Sequence, residues 1–132
     1  MNKGFSLIEL VVSMAIMLPM LILILNLVPS MNRVYHTAHA ITVSSQLGAQ
    51  VMDAIVWQSR KTATDFNQNF TQLAMPFEAP FSQFKHTIAD TNTPEIKTIA
   101  ITVWKDLDNN GSLDSDEPSF THKRSIVFYK GL

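Results

Sequence analysis

Residues 4–29 read GFSLIELVVSMAIMLPMLILILNLVP, an almost unbroken apolar stretch. From residue 5 to residue 28 the polar interruptions are Ser6, Glu9, Ser13 and Asn26. At ~1.5 Å per residue, roughly 24 helical residues extend about 36 Å, which exceeds the ~30 Å hydrocarbon core of a bilayer. The stretch therefore predicts a helix that crosses a membrane.

A cleaved secretory signal and an ordinary anchor are the alternatives for this stretch. A secretory signal has a shorter apolar region, about 7–15 residues, followed by a small-residue cleavage site. Here Val28-Pro29-Ser30 leads into a polar helical segment without an Ala-x-Ala pattern. The Lys/Arg bias orients an ordinary anchor only weakly, because Lys3 precedes the span and Arg33 follows it.

Glu9 argues against an ordinary anchor. An acidic residue inside a membrane helix costs a few kcal/mol even on lenient insertion scales and usually marks a partner or a pathway. Glu9 lies about one helical turn after Phe5. If the chain is cut between Gly4 and Phe5, the free α-amine of Phe5 in a neighbouring copy can neutralise the carboxylate. The position of Glu9 therefore predicts assembly between subunits.

The N-terminus MNKGFSLIELVVSMAI, residues 1–16, resembles the leader and cleavage motif of type IV prepilins. That family includes type IV pilins, minor pilins and type II secretion pseudopilins. The resemblance implies that a prepilin peptidase cuts after Gly4 and N-methylates Phe5, and that Glu9 serves register and assembly. A glycine at the cut site suits a protease that needs extended backbone without a side chain.

The same resemblance implies a location and a set of partners. The protein would be a single-pass protein of the bacterial inner membrane with a periplasmic C-terminal domain, and it would then enter a filament or tip complex. Its implied partners are other pilin or pseudopilin subunits, the prepilin peptidase and the inner-membrane assembly platform.

The rest of the chain predicts an α+β fold of pilin-like type, a long N-terminal membrane-spanning helix packed on a small antiparallel sheet. We assign residues 1–4 to the leader, 5–29 to the transmembrane and assembly helix, 30–61 to its soluble half, 62–80 to a linker and 81–132 to the sheet. The strand candidates are Phe81–Ala89, Ile96–Trp104 and His122–Tyr129, with a turn at residues 91–94.

The long helix carries further signals. Pro19 and Pro29 each remove a backbone hydrogen bond and predict an interruption or kink. After Pro29, one apolar stripe follows helical spacing through Val34, Ala38, Ile41, Ser45, Gly48, Met52 and Ile55, and a second through Leu47, Val51, Ala54 and Trp57. The helix is expected to end near Arg60-Lys61, since cations suit a helix C-terminus.

Residues 106–117, DLDNNGSLDSDE, match the D-x-[DN]-x-[DN]-G-x5-E pattern of a calcium loop. The candidate ligands are Asp106, Asp108, Asn110, the Ser112 carbonyl, Asp114 and Glu117, with Gly111 at the sharp turn. Strand-like flanks and Pro118 place the loop in a β-hairpin rather than between two helices. The alternative is a polar hairpin turn built on Asn109-Asn110-Gly111.

Several classes of function are disfavoured. A net charge of -1 and a pI near 6.4 argue against direct contact with nucleic acid, which needs concentrated Lys and Arg. The absence of cysteine excludes a disulfide framework and a Cys-based zinc site. No nucleophile motif or Gly-rich phosphate loop points to an enzyme. His36 and His39 share a helix face but have no third ligand nearby in sequence, so they read as surface histidines.

Two functions remain. The first is a minor pilin or pseudopilin. The chain is similar to the small I-type minor pseudopilins and related minor pilins in three stretches, SSQLGAQVMDAIVWQSR, IAITVW and HKRSIVFYKGL. That resemblance implies a tip or priming complex in secretion, adhesion and twitching, or DNA uptake. The second is a single-pass membrane-anchored calcium-dependent binding protein that does not polymerise. Gly4, Phe5 and Glu9 favour the minor pilin or pseudopilin, because a helix that serves only as an anchor requires neither the cleavage motif nor the acid.

Overall fold

The computed structural model describes residues 6–91, 93 and 96–127. The chain divides into two compact units, Met1–His36 and Thr37–Leu132. The predicted leader, Gly4, Phe5 and the predicted strand residues 128 and 129 lie outside the described residues, as do two of the four residues of the predicted turn at 91–94.

One helix, α1 (Leu7–Ser59), contributes to both units. The Glu9 carboxylate accepts a hydrogen bond from the Ser6 N–H at 3.0 Å, so the acid caps the start of the helix. The helix continues through Pro19 and Pro29, so the prolines do not end it. Each proline removes one hydrogen bond, and the neighbouring turns of a long apolar helix retain theirs.

The second unit adds a short helix and a four-stranded sheet. Its elements are α2 (Ala63–Asn67), β1 (Gln72–Pro76), β2 (Phe84–Asp90), β3 (Ile96–Lys105) and β4 (Ser119–Val127). The strands lie in the order β1-β2-β3-β4, and each pairs antiparallel with its neighbour. The predicted α+β architecture, a long helix with an antiparallel sheet, is confirmed.

The core of the second unit lies between α1 and one face of the sheet. Ile99, Ile101 and Val103 alternate along β3 and are fully buried, as their period-2 pattern predicts. The α1 residues that are buried are Ala40, Ser44, Leu47, Gly48, Met52, Ile55, Val56 and Ser59. The first predicted stripe is therefore buried only in its C-terminal part, because Val34 and Ile41 are exposed. The second is buried only at its start, because Leu47 is buried and Trp57 is exposed.

Gly48 allows α1 to approach the sheet closely. A Cβ atom at this position would lie 2.6 Å from Cδ2 of His122 and 3.3 Å from Cγ2 of Val103. The His122 ring is held there, since its Nε2 lies 2.8 Å from the backbone carbonyl oxygen of Ser45. The missing side chain thus leaves room for a hydrogen bond between β4 and the helix.

Residues 62–80, expected to be a linker, instead contain α2 and β1. Thr62 caps α2 by accepting a hydrogen bond from the Asp65 N–H at 3.1 Å. The end of α1 also differs slightly from expectation: it ends at Ser59, and its last turn holds no basic residue. The loop from β3 to β4 spans residues 106–118, with strands on both sides as predicted.

Candidate functional sites

The N-terminal half of α1 exposes an apolar surface on all sides. Every described residue from 6 to 36 is exposed, including Leu7, Ile16, Leu23 and Leu27. Among the described residues, α1 is the helix long and apolar enough to cross a membrane, and its most apolar stretch contains no buried residue. Such a surface needs lipid or other apolar helices around it.

Glu9 is the acidic group on this surface. Its side chain is exposed, and one carboxylate oxygen accepts from the Ser6 N–H. The free N–H groups and the positive end of the helix dipole favour an anion at this position. A carboxylate has about four acceptor positions, so Glu9 retains capacity for a further donor such as an amine.

The second candidate site is the acidic loop, residues 106–117. Its base is closed by a hydrogen bond from the Lys105 N–H to the Pro118 carbonyl at 3.1 Å. The Asp106 N–H donates to the Gln83 carbonyl at 3.0 Å, which ties the loop to the segment before β2. Asn109 and Gly111 have φ values of +59° and +82°, the left-handed region that glycine and asparagine adopt most readily.

Three acidic side chains converge in this loop. Oxygen atoms of Asp106, Asp108 and Glu117 all lie within 4.8 Å of one another. Oxygens around a calcium ion, each at about 2.3–2.6 Å from the metal, have separations of this order. Asp106 and Glu117 are buried, whereas Asp108 is exposed. The three carboxylates can therefore contribute to one cation site.

The other predicted ligands belong to an adjoining hydrogen-bond network. The Asn110 side-chain amide donates to Asp108 Oδ2 at 2.7 Å and to Asp114 Oδ2 at 2.8 Å. The Asn110 side-chain oxygen accepts from the Ser112 N–H at 2.6 Å. The structure thus brings together three of the six predicted ligands and links Asn110 and Asp114 to them through hydrogen bonds.

Glu117 joins the two ends of the loop. One of its oxygens accepts from the Leu107 N–H at 2.6 Å, and the other accepts from the Asp114 N–H at 3.2 Å. Each carboxylate oxygen has a second lone pair, so these bonds leave acceptor capacity for a cation. The closing role predicted for Glu117 is consistent with this geometry.

Asp106 uses its two oxygens differently. Its Oδ2 forms an ion pair with Lys85 Nζ and accepts from the Gly111 N–H at 3.0 Å. Its Oδ1 is buried and has no hydrogen-bond partner among the described residues. The hydrogen bond from Lys85 lowers the pKa of Asp106 below its ordinary value, so the group is a carboxylate at neutral pH.

Comparison with known families addresses the N-terminus. Residues 1–19 match the family model of the prokaryotic N-terminal methylation motif. The chain carries the type IV pilin signature. Comparison with curated proteins and with solved structures found no match. The motif and the apolar helix together support a type IV pilin-like precursor with a membrane anchor, and the match covers residues 1–19 of the 132-residue chain.

The sheet contains a buried ion pair that the sequence patterns did not predict. Lys97 Nζ lies 2.9 Å from Asp90 Oδ2, and both side chains are fully buried. Lys97 precedes Ile99, Ile101 and Val103 on the same face of β3, so strand alternation alone places it in the core. Lys85 was also missed, because only the fold brings β2 beside the acidic loop.

The histidines His36 and His39 are both exposed on α1, as expected of surface residues. The His36 ring packs edge-on against Tyr35, with ring centroids 5.9 Å apart.

Proposed function

We propose that this chain is a minor pilin or pseudopilin subunit. In this proposal the prepilin peptidase removes residues 1–4 and methylates Phe5, and the mature subunit enters or primes a type IV pilus or a type II secretion pseudopilus. Before assembly it resides in the bacterial inner membrane as a single-pass protein with its C-terminal unit in the periplasm. The assembly platform and other pilin-family subunits are its partners.

The observation that carries this proposal is Glu9 within the methylation motif. The motif covers residues 1–19, and Glu9 is an exposed acid on an otherwise apolar helix. In a membrane both the carboxylate and a free α-amine are costly, and pairing them between subunits removes both costs. A helix that served only as an anchor would be more stable without the acid.

The experiment compares Glu9→Gln with wild type in a cell that carries the partner subunits. We expect the variant to stay in the membrane, since losing an acid does not weaken insertion. We expect its co-purification with partner subunits to fall at least about tenfold, because pairing energies of ~1.4 kcal/mol or more are lost. Ser13→Ala, one turn further along the same exposed helix, is the matched control. Unchanged co-purification of Glu9→Gln would contradict the assembly role.

A second proposal concerns the acidic loop. We propose that Asp106, Asp108 and Glu117 bind Ca²⁺, with Asn110, Asp114 and the Ser112 carbonyl as further ligands after local adjustment. The support is the mutual approach of the three carboxylates within 4.8 Å and the buried, unpartnered Oδ1 of Asp106. Hard oxygen donors of this kind suit calcium. The bound ion would offset two of the loop's negative charges and hold its two ends together.

The calcium proposal is tested by thermal unfolding of the detergent-solubilised protein. Extracellular sites of this type have Kd values of roughly 10⁻⁴–10⁻³ M, so millimolar calcium should raise the melting temperature and chelator should reverse the change. Calcium at one to ten times Kd, which a concentration of about 1 mM provides, stabilises the folded protein by about 0.4–1.4 kcal/mol. Asp108→Asn should abolish it, whereas Asp116→Asn, exposed in the same loop, should retain it. If calcium does not change the melting temperature, the calcium proposal is wrong and the segment is an ordinary hairpin loop.

The same loop favours one alternative function, a membrane-anchored calcium-dependent binding protein that does not polymerise. The two functions differ at Glu9, because only assembly requires the carboxylate. Calcium binding together with normal behaviour of Glu9→Gln would support the alternative.

A further inference from the structure

Lys85 provides a positive charge at the acidic loop. It lies on β2, opposite Trp104 of β3, and its side chain is only 15% exposed. Its ammonium forms an ion pair with Asp106 and lies 3.5 Å from the position that a Cβ atom on Gly111 would occupy. The lysine therefore reaches from the neighbouring strand to the turn of the loop.

The ion pair occupies one oxygen of Asp106 and leaves the other available. Oδ2 contacts Lys85 and the Gly111 N–H, while the buried Oδ1 has no hydrogen-bond partner in the described part of the chain. The Asp106 side chain is 1% exposed. A buried carboxylate oxygen without a donor is costly, so this atom points independently to a cation.

Charge determines what the lysine does to that cation. The carboxylates of Asp106, Asp108 and Glu117 carry three negative charges, and the Lys85 ammonium offsets one of them. Calcium affinity depends on the number of charged ligands, and a like charge a few ångströms away weakens the binding of a divalent ion. The same positive charge reduces repulsion between the carboxylates when no metal is bound.

We propose that Lys85 is the built-in counter-cation of the acidic loop and sets its affinity for divalent cations. It stabilises the loop without metal and weakens calcium binding, so that the site binds calcium less tightly than the three carboxylates would without the lysine. This inference rests on the proposed calcium site and assigns it an affinity-determining residue outside the loop.

The test measures calcium binding by titration calorimetry on the full chain in detergent. Lys85→Met removes the charge and keeps an unbranched apolar stem. We expect its Kd for Ca²⁺ to fall at least about tenfold, and its melting temperature in chelator to fall below that of wild type. Lys85→Arg, which keeps the charge, should resemble wild type in both measurements. Lys123→Met, at an exposed position on β4, is the matched control.

The outcomes separate this inference from the calcium proposal. Equal Kd values for wild type and Lys85→Met would overturn the role of Lys85 and leave the calcium site standing. Binding by Lys85→Met alone would support the counter-cation role and show that the lysine takes the place of calcium in the wild-type protein. Absence of binding by both would overturn both proposals. If Lys85→Met does not fold, Lys85→Gln, which retains a hydrogen-bond donor, carries the same expectations.

Discussion

At the scale of single residues, Lys97 is the most constrained charge in the described structure. Its ammonium contacts Asp90 at 2.9 Å and the Gln68 backbone carbonyl, and it lies 4.8 Å from the centre of the Phe70 ring. The Phe70 N–H donates to Asp90 at 3.1 Å. The pair therefore fixes the segment between α2 and β1 against the sheet.

Removing one partner of this pair should be strongly destabilising. Lys97→Met leaves the Asp90 carboxylate buried without its counter-charge, and breaking such a pair costs about 3–5 kcal/mol. We expect a loss of this size in the free energy of urea unfolding. The double variant Lys97→Met with Asp90→Asn should recover part of it, because no uncompensated charge remains. If Lys97→Met lowers the free energy of unfolding by less than about 1 kcal/mol, the ion pair is not needed for stability.

Sequence alone could have placed Lys97 but not its partner. Strand alternation puts it on the buried face with Ile99 and Ile101. The position of Asp90 follows from the antiparallel register of β2 and β3, in which Asp90 pairs with Ile99. That register depends on the turn between the strands, and no short hairpin motif in the sequence specifies it.

At the scale of secondary structure, β3 was predictable and β1 was not. The apolar residues of β3 alternate cleanly, so its bounds differ from the prediction only by Lys105. All five residues of β1 are exposed, and Pro76 is one of them. An edge strand of this kind is held by backbone pairing with β2, and backbone pairing leaves no hydrophobic pattern in the sequence.

The acidic loop was likewise predictable only in part. Its residue spacing predicted a ligand set and the sharp turn at Gly111, which has φ +82°. The residue spacing could not predict the contact between Asp106 and Lys85, because a metal-loop motif describes one continuous segment and Lys85 lies on a separate strand.

The contact between α1 and the sheet gives a prediction at the same scale. Gly48→Ala would place a methyl group 2.6 Å from the His122 ring, which is fixed by its hydrogen bond to Ser45. Overpacking costs typically 1–3 kcal/mol and outweighs the gain of ~0.5–1 kcal/mol in helix propensity. We therefore expect a net loss of up to about 2.5 kcal/mol in the free energy of unfolding.

Two variants control the Gly48 prediction. Gln50→Ala, at an exposed position of the same helix, should change stability by less than about 0.5 kcal/mol. His122→Ala should remove the clash, so that Gly48→Ala becomes neutral or stabilising in that background. A stabilising effect of Gly48→Ala in the wild-type background would show that the close approach is not needed.

At the scale of the whole molecule, the two units have different requirements. Residues 37–127 contain a buried core, whereas the described residues up to 36 are exposed and mostly apolar. The second unit buries a set of its apolar residues in a core of its own, whereas the apolar surface of the first requires lipid or other subunits. In the proposed role one segment would serve in both environments, since the helix would leave the membrane for a filament.

This general role was predictable because it depends on a short, local motif. The sequence around Gly4, Phe5 and Glu9 identifies the pilin-like class without any tertiary information, and residues 1–19 match the methylation motif. The particular machine was not predictable, because it depends on partner surfaces outside the chain.

The proposed function requires that this chain is a precursor that is cut after Gly4 and methylated on Phe5. Both changes are measured by intact-mass spectrometry of the protein extracted from membranes with an active prepilin peptidase. We expect a mass that lacks residues 1–4 and carries one added methyl group, and the uncut mass in cells without the peptidase. A bulky substitution such as Gly4→Leu should also leave the chain uncut. An uncut wild-type chain in the presence of active peptidase would show that the proposed function is wrong.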